Sequence, residues 1–231
     1  MIPLRDNVPT RTLPVVTIGL IVVNALVWFW ELGGSPPQQD IYRYSFYPCS
    51  VEGPCVGHAA ASHLPFWEGT FTSMFMHAGW AHIGFNMLFL WIFGNNVEDA
   101  MGRVRFLAFY LCSGIAATTL QTFVTLHTSG VTGASVPNLG ASGAIAGVLG
   151  AYLVLLPWAK VLTLIGWFPL YIPAIFFLGI WFVIQAFEGN LALHHPEATG
   201  GVAVFAHIGG MVFGFVTVRL FAVRQPLRPE F

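Results

Sequence analysis

Gly140-Ala141-Ser142-Gly143 opens an apolar run that carries no charge up to Pro157. Within it Gly140, Gly143, Gly147 and Gly150, with Ala146 and Ala151, recur three and four residues apart, as on one face of a helix. Small residues at that spacing let a second helix backbone come close, which is how helices associate in lipid. A second run, headed by Ala206-His207-Ile208-Gly209-Gly210, repeats the device as Gly210-x-x-x-Gly214. The two runs are predicted to pack tightly, one with a serine at its mouth and the other with a histidine near its head.

Composition extends this reading to the whole chain. Of 231 residues 56% are apolar and 8% charged, against roughly 25% charged in an ordinary soluble domain. A net charge of -1 gives no basic surface for nucleic acid and no acidic tail. Charge-free intervals separate Arg11 from Glu31 and Glu68 from Glu98, and Lys160 is alone between Arg105 and Glu188. That last interval divides in three at the polar stretch from His127 to Asn138 and at Pro157-Trp158-Ala159-Lys160. The expectation is an all-α polytopic membrane protein: one domain over 1–231 with six spans near 13–31, 75–97, 104–126, 140–157, 168–187 and 202–222.

With both termini cytoplasmic, eight of nine basic residues fall inside and Arg43 alone outside, as positively charged inner loops require. The expected location is the cell's plasma or inner membrane. Trp28-Phe29-Trp30-Glu31 makes a poor cleavage site, so the first run reads as a retained span. Pro14 suits its first turn, and Asn24 within it reads as a packing amide bonded to a neighbouring helix.

Residues 33–73 form an outer segment too long for a simple connector. Tyr42, Tyr44, Phe46, Tyr47, Phe66 and Trp67 suit the headgroup layer, so the segment is expected on or partly in the outer leaflet. Cys49 and Cys55, on the oxidising side, either close a small disulfide loop or stay reduced. Cys112 reads as a buried small residue, and Ser113, Gly114, Ala116 and Ala117 as a packing surface.

Spans two, four and six descend from the same surface, so His82 with Asn86, Ser142 and His207 should share one depth in the outer half of the bilayer. Each has a plain structural explanation: packing bonds for His82 and Asn86, a helix N-cap for Ser142, a satisfied core histidine for His207. A metal held by His77 and His82 is weaker, because no carboxylate or cysteine joins them and no H-E-x-x-H occurs; His77 itself reads as structural. Taken jointly, the four positions describe acyl-transfer chemistry. Serine becomes a nucleophile when a base takes its proton, and the oxyanion that follows needs fixed donors. His82, Asn86 and the free N-H of Ser142 at a helix start are placed to supply them. No Asp or Glu is expected at this depth, so a two-residue Ser-His arrangement is predicted. It needs no metal and no cofactor. Span five is bulky, with Phe177 and Trp181 in it, and lacks a close-packing face; it reads either as a side door for substrate or as ordinary lipid-facing bulk. His194 and His195 are expected in a solvated loop after it.

His77-x4-His82-x3-Asn86, Gly140-x-Ser142-Gly143 and Ala206-His207-x-Gly209-Gly210-x3-Gly214 together resemble the rhomboid intramembrane serine proteases. The resemblance covers nearly the whole chain in a six-span form. It implies Ser142 as nucleophile, His207 as general base, and His82, Asn86 and the Ser142 amide as the oxyanion site. It also implies a substrate, a single-spanning membrane protein whose helix unwinds near the outer surface and is cut beside small residues. Oligomeric state is left open. Many members carry Trp-Arg in the first outer loop, whereas Trp67-Glu68-Gly69 stands near that place here. Two other functions compete. A rhomboid-like protein that binds membrane helices without cutting them would not need Ser142 and His207, and a small transporter or channel would favour charged or broken helices at the midplane.

Overall fold

Lipid offers no partner to a backbone amide, so long apolar runs are driven into helices that satisfy their own. The computed structural model describes residues 1–33, 39–61, 64–194 and 203–229. Strand β1 (Ile2–Arg5) precedes helix α1 (Val15–Leu32). Short helices α2 (Gln39–Tyr44), α3 (His58–Ala61) and α4 (Phe66–Ser73) follow, with a 3-10 turn at Pro48–Ser50. Next come α5 (Trp80–Met101), α6 (Arg103–Thr128), the short α7 (Gly130–Ala134) and α8 (Ser142–Leu155). Strands β2 (Lys160–Ile165) and β3 (Phe168–Pro173) lead into α9 (Ala174–His194) and α10 (Val204–Phe221).

Among the described residues four helices, α1, α6, α9 and α10, are long and apolar enough to cross a membrane by themselves, so the protein is a mostly helical, multi-pass membrane protein. Helix α8 has 14 residues, about 21 Å at 1.5 Å per residue, short of a hydrocarbon core of ~30 Å. Its residues from Gly143 to Tyr152 are buried without a break, so neighbouring helices rather than lipid surround it. Helix α5 is long enough, but His82, Asn86, Asn95 and Asn96 dilute its apolar character.

Small residues set the helix spacing. Gly210 lies against the carbonyl of Gly143 and Gly214 against that of Gly147, where any side chain would meet backbone. Ser113 and Ala117 of α6 fill the space over Gly147 and Gly143. Helices α8 and α10 therefore pack tightly, as their spacing predicts, and the α6 group serves as the packing surface.

Several expectations need correction. The fold is not all-α: β1, β2 and β3 form an antiparallel sheet in that order, with Ile2 opposite Leu164 and Lys160 opposite Pro173. Alternation in Lys160–Ile165 and a turn at Gly166 (φ +60°) make a hairpin where a short connector was expected. Span five consequently starts at Ala174 and runs to His194, so Glu188 and His194 are helical; His195 lies outside the described residues. The helix expected as span two begins at Trp80, the one expected as span four at Ser142, and α1 directly after Pro14. Asn24 Nδ2 donates to Leu20 O at 2.7 Å on its own helix, not to a neighbour. Cys112 is half-buried.

The segment expected on the outer leaflet is also more protein-bound than that expectation implies. Phe46 and Tyr47 are buried, and the Tyr47 hydroxyl donates to Tyr42 O at 2.9 Å; Trp67 does stay exposed. Cys49 and Cys55 are disulfide-bonded.

At the opposite end of α5 a polar cluster ties three elements together. Glu98 accepts the N-H groups of Val16 (3.0 Å) and Thr17 (2.7 Å) and the Thr17 hydroxyl (2.8 Å), satisfying the free first turn of α1. Asp99 pairs with Arg11 at 2.9 Å. Asp6 accepts the Tyr152 hydroxyl at 2.6 Å and Asn96 Nδ2 at 2.7 Å.

Candidate active site

Ser142 is the first residue of α8, and the loop before it is held from two sides. Gly140 N-H donates to Ser73 O at 2.8 Å, at the end of α4. Phe46 and Asn138 exchange backbone bonds of 3.0 and 2.7 Å, so the segment between α2 and α4 braces the approach to the serine. Gly140 must be glycine on two counts. Its φ is +117°, and a Cβ there would lie 2.7 Å from His82 Nε2.

The serine hydroxyl does not cap its helix. Residue 141 holds the cap position, no side chain bonds there, and Ser142 Oγ lies 2.8 Å from His207 Nε2. His207 sits in the first turn of α10, which Gln121 of α6 pins by accepting Ala206 N-H at 3.1 Å. The glycine contacts between α8 and α10 thus bring the two side chains into reach.

His82 and Asn86, one turn apart on α5, face the same cavity of about 630 Å³, which Ser142, Phe89, Trp181 and His207 also line. His82 Nδ1 accepts Ala78 N-H at 3.4 Å, so in the neutral ring the proton sits on Nε2, the atom beside Gly140. Asn86 Nδ2 is buried and bonds nothing among the described residues. A buried amide without a partner is costly unless something arriving in the cavity accepts its hydrogen bond. His77 lies outside the helix and serves structure: its ring is buried edge-to-face on His82 at 5.1 Å, with Nδ1 bonded to Phe75 O at 3.2 Å. Among the described residues no group of three or more His, Cys, Asp or Glu is placed to hold a metal.

Phe177 and Trp181 take different places on α9. Phe177 is buried against Phe93 and Phe89 of α5, with ring centroids 6.2 and 6.3 Å away, and so forms the seam between the two helices. Trp181 lines the cavity, 5.8 Å from the His207 ring.

The expected two-residue arrangement is incomplete. Gln185 of α9, buried, places Oε1 in hydrogen-bonding contact with His207 Nδ1. Its Nε2 donates to Glu188 Oε2 at 2.8 Å, so a carboxylate reaches the histidine through an amide. The sequence reading passed over both because Glu188 looked like the charge that ends span five. One signal was present: Gln185 is the one amide between Pro169 and Phe187 and falls one turn after Trp181, and a polar residue in a span faces the bundle interior.

Residues 65–224 match the Rhomboid domain family. Rhomboid protein 1, mitochondrial, of Saccharomyces cerevisiae is 34% identical over 143 residues, covering 62% of this chain and 38% of that protein. Presenilin-associated rhomboid-like protein A, mitochondrial, of Danio rerio is 34% identical over 145 residues, 62% of this chain and 34% of its own. Rhomboid protease GluP of Bacillus subtilis is 34% identical over 151 residues, 64% of this chain and 25% of its own. The match therefore spans well under half the length of these curated relatives. The polar residues gathered at the start of α5, α8 and α10, and a family match across most of the chain, lead to one conclusion: the chain belongs to the rhomboid family.

Proposed function

We propose that the protein is an intramembrane serine endopeptidase that hydrolyses a peptide bond in or beside the transmembrane segment of a single-spanning membrane protein. The observation that carries this reading is the 2.8 Å contact between Ser142 Oγ and His207 Nε2 at the wall of a cavity with unused donors. As the serine oxygen attacks the substrate carbonyl carbon, its proton passes to His207 Nε2. The carbonyl oxygen gains the negative charge and accepts hydrogen bonds from Asn86 Nδ2, His82 Nε2 and the Ser142 N-H. On collapse the C-N bond breaks and His207 returns the proton to the departing amine. Water, deprotonated by the same histidine, then releases the acyl group and restores the serine.

The reading takes α5 and α8 as crossing the bilayer with the four long apolar helices, giving six spans in a single domain. It places both termini on the cytoplasmic side of a plasma or inner membrane and opens the site outward. The distribution of basic residues and the Cys49–Cys55 disulfide on the site's side support that orientation. Substrate is proposed to enter by the seam at Phe177 and Trp181.

Labelling of the detergent-solubilised protein with a fluorescent fluorophosphonate tests the reading without a known substrate. Wild type should label, and Ser142→Ala and His207→Ala should not. Equal labelling of wild type and Ser142→Ala would overturn the assignment, and absence of labelling in folded wild type would favour a helix-binding role without cleavage.

A further inference from the structure

We infer that Gln185 is a positioning residue for the Ser142–His207 pair, holding the imidazole in the tautomer that can accept the serine proton. The inference rests on the serine-protease reading and adds to it a third side chain and the anchor behind that side chain.

Donor and acceptor chemistry fixes the direction of each hydrogen bond from Glu188 through Gln185 and His207 to Ser142. The Glu188 carboxylate has acceptors only, so the Gln185 atom that bonds it is the Nε2 donor. Gln185 therefore turns its oxygen, which cannot donate, toward His207 Nδ1. Nδ1 must then carry the ring proton, and Nε2 is left with a lone pair 2.8 Å from the Ser142 hydroxyl. Reversing the amide would set Nε2 of Gln185 against Nδ1, favour the proton on His207 Nε2, and block proton acceptance. Glu188 penalises that reversal, because the carboxylate would then face the amide oxygen. The same carbonyl steadies the imidazolium that forms when His207 takes the serine proton, since Nδ1-H donates to it in both states. Gln185 is buried and touches neither substrate cavity nor serine directly, so its effect on the reaction passes through His207.

The test compares Gln185→Met, which keeps length but offers no comparable acceptor, with Gln185→Glu, which restores an oxygen, alongside wild type and Ser142→Ala. Saturation kinetics of fluorophosphonate labelling separate the maximal rate from the half-saturating concentration. Gln185→Met should lower the maximal rate by about 10- to 100-fold, the range for losing a group that orients a histidine from behind. The half-saturating concentration should hold in variants that remain folded, and Gln185→Glu should recover most of the rate. A Met variant at wild-type rate, or a Glu variant no faster than Met, would overturn the inference. Should Ser142→Ala label like wild type, the protease reading itself fails. A second readout does not depend on reactivity: ¹⁵N-histidine NMR of the wild type should give His207 a proton on Nδ1 and a bare Nε2. The opposite tautomer in the folded wild type would overturn the inference.

Discussion

Helix α5 carries buried polar residues at both ends, and its two ends treat them differently. Toward its C-terminus both Glu98 oxygens are taken up by the first turn of α1, and Asp99 is occupied by Arg11, its backbone N-H and Thr12. Toward its N-terminus Asn86 Nδ2 has no partner among the described residues, and His82, its Nε2 beside Gly140, lines a cavity. Saturated groups at one end convert polarity into attachment between elements. Unsaturated donors at the other are stability forgone, and in the proposed reaction they are available to the charge that appears on the substrate. A polar residue in a membrane helix is therefore informative through its partners more than through its presence.

Substitutions at the two ends should separate along that line. Ser142→Ala has the largest effect: cleavage of a transmembrane substrate should fall by about 10⁴- to 10⁶-fold, with an unchanged thermal midpoint. Near wild-type turnover in that variant would erase the distinction between the ends. Asn86→Ala should lower kcat by roughly 10- to 1000-fold as an oxyanion donor; a change confined to KM would make Asn86 a substrate contact. Glu98→Ala strips the first turn of α1 of its acceptor and should reduce stability by about 1–3 kcal/mol, while the fluorophosphonate labelling rate stays within twofold of wild type. A labelling loss as large as that of Asn86→Ala would mean the ends are coupled.

Asp6 gives the saturated end a pH signature. Burial pushes its carboxyl up from 3.8 to about 6, against the lowering effect of the Tyr152 and Val8 hydrogen bonds. Between those values the folded state holds a proton that the unfolded chain has released. The contribution of Asp6 to stability is thus complete below about pH 4 and is lost as pH rises through about 6. Asp6→Asn should flatten the stability profile across that window, measured by thermal unfolding in detergent; an unaltered slope would assign the titration to another group. The smallest effect is expected at the seam. Phe177→Ala or Trp181→Ala should speed cleavage of a transmembrane substrate a few-fold if α9 parts from α5 to admit it, and unchanged or slower rates in a folded variant would close that door.

The family of the site was readable from three short stretches because helix geometry is local. A spacing of four puts His82 and Asn86 on one face, glycines three and four apart announce close packing, and alternation of spans assigns Ser142 and His207 to one end. The sheet was not readable, since β1 and β2 lie 155 residues apart at Arg5 and Lys160 and each is too short to declare itself without the other. The burial of Phe46 and Tyr47 was missed for a similar reason: an aromatic residue suits the headgroup layer and a protein interior equally well until its neighbours are known.

What the sequence determined by itself is the membrane class, the order of the apolar runs and the residue types that meet at the cavity, because each follows from charge spacing and helical period within a few turns. What the tertiary structure alone decided is which atoms face which: the serine hydroxyl on His207 instead of its own helix end, Asn86 Nδ2 without a partner among the described residues, and Gln185 and Glu188 behind the histidine. Those choices depend on how far α9 and α10 approach and at what rotation, and helix rotation is set by packing between chain-distant residues, which no local period encodes.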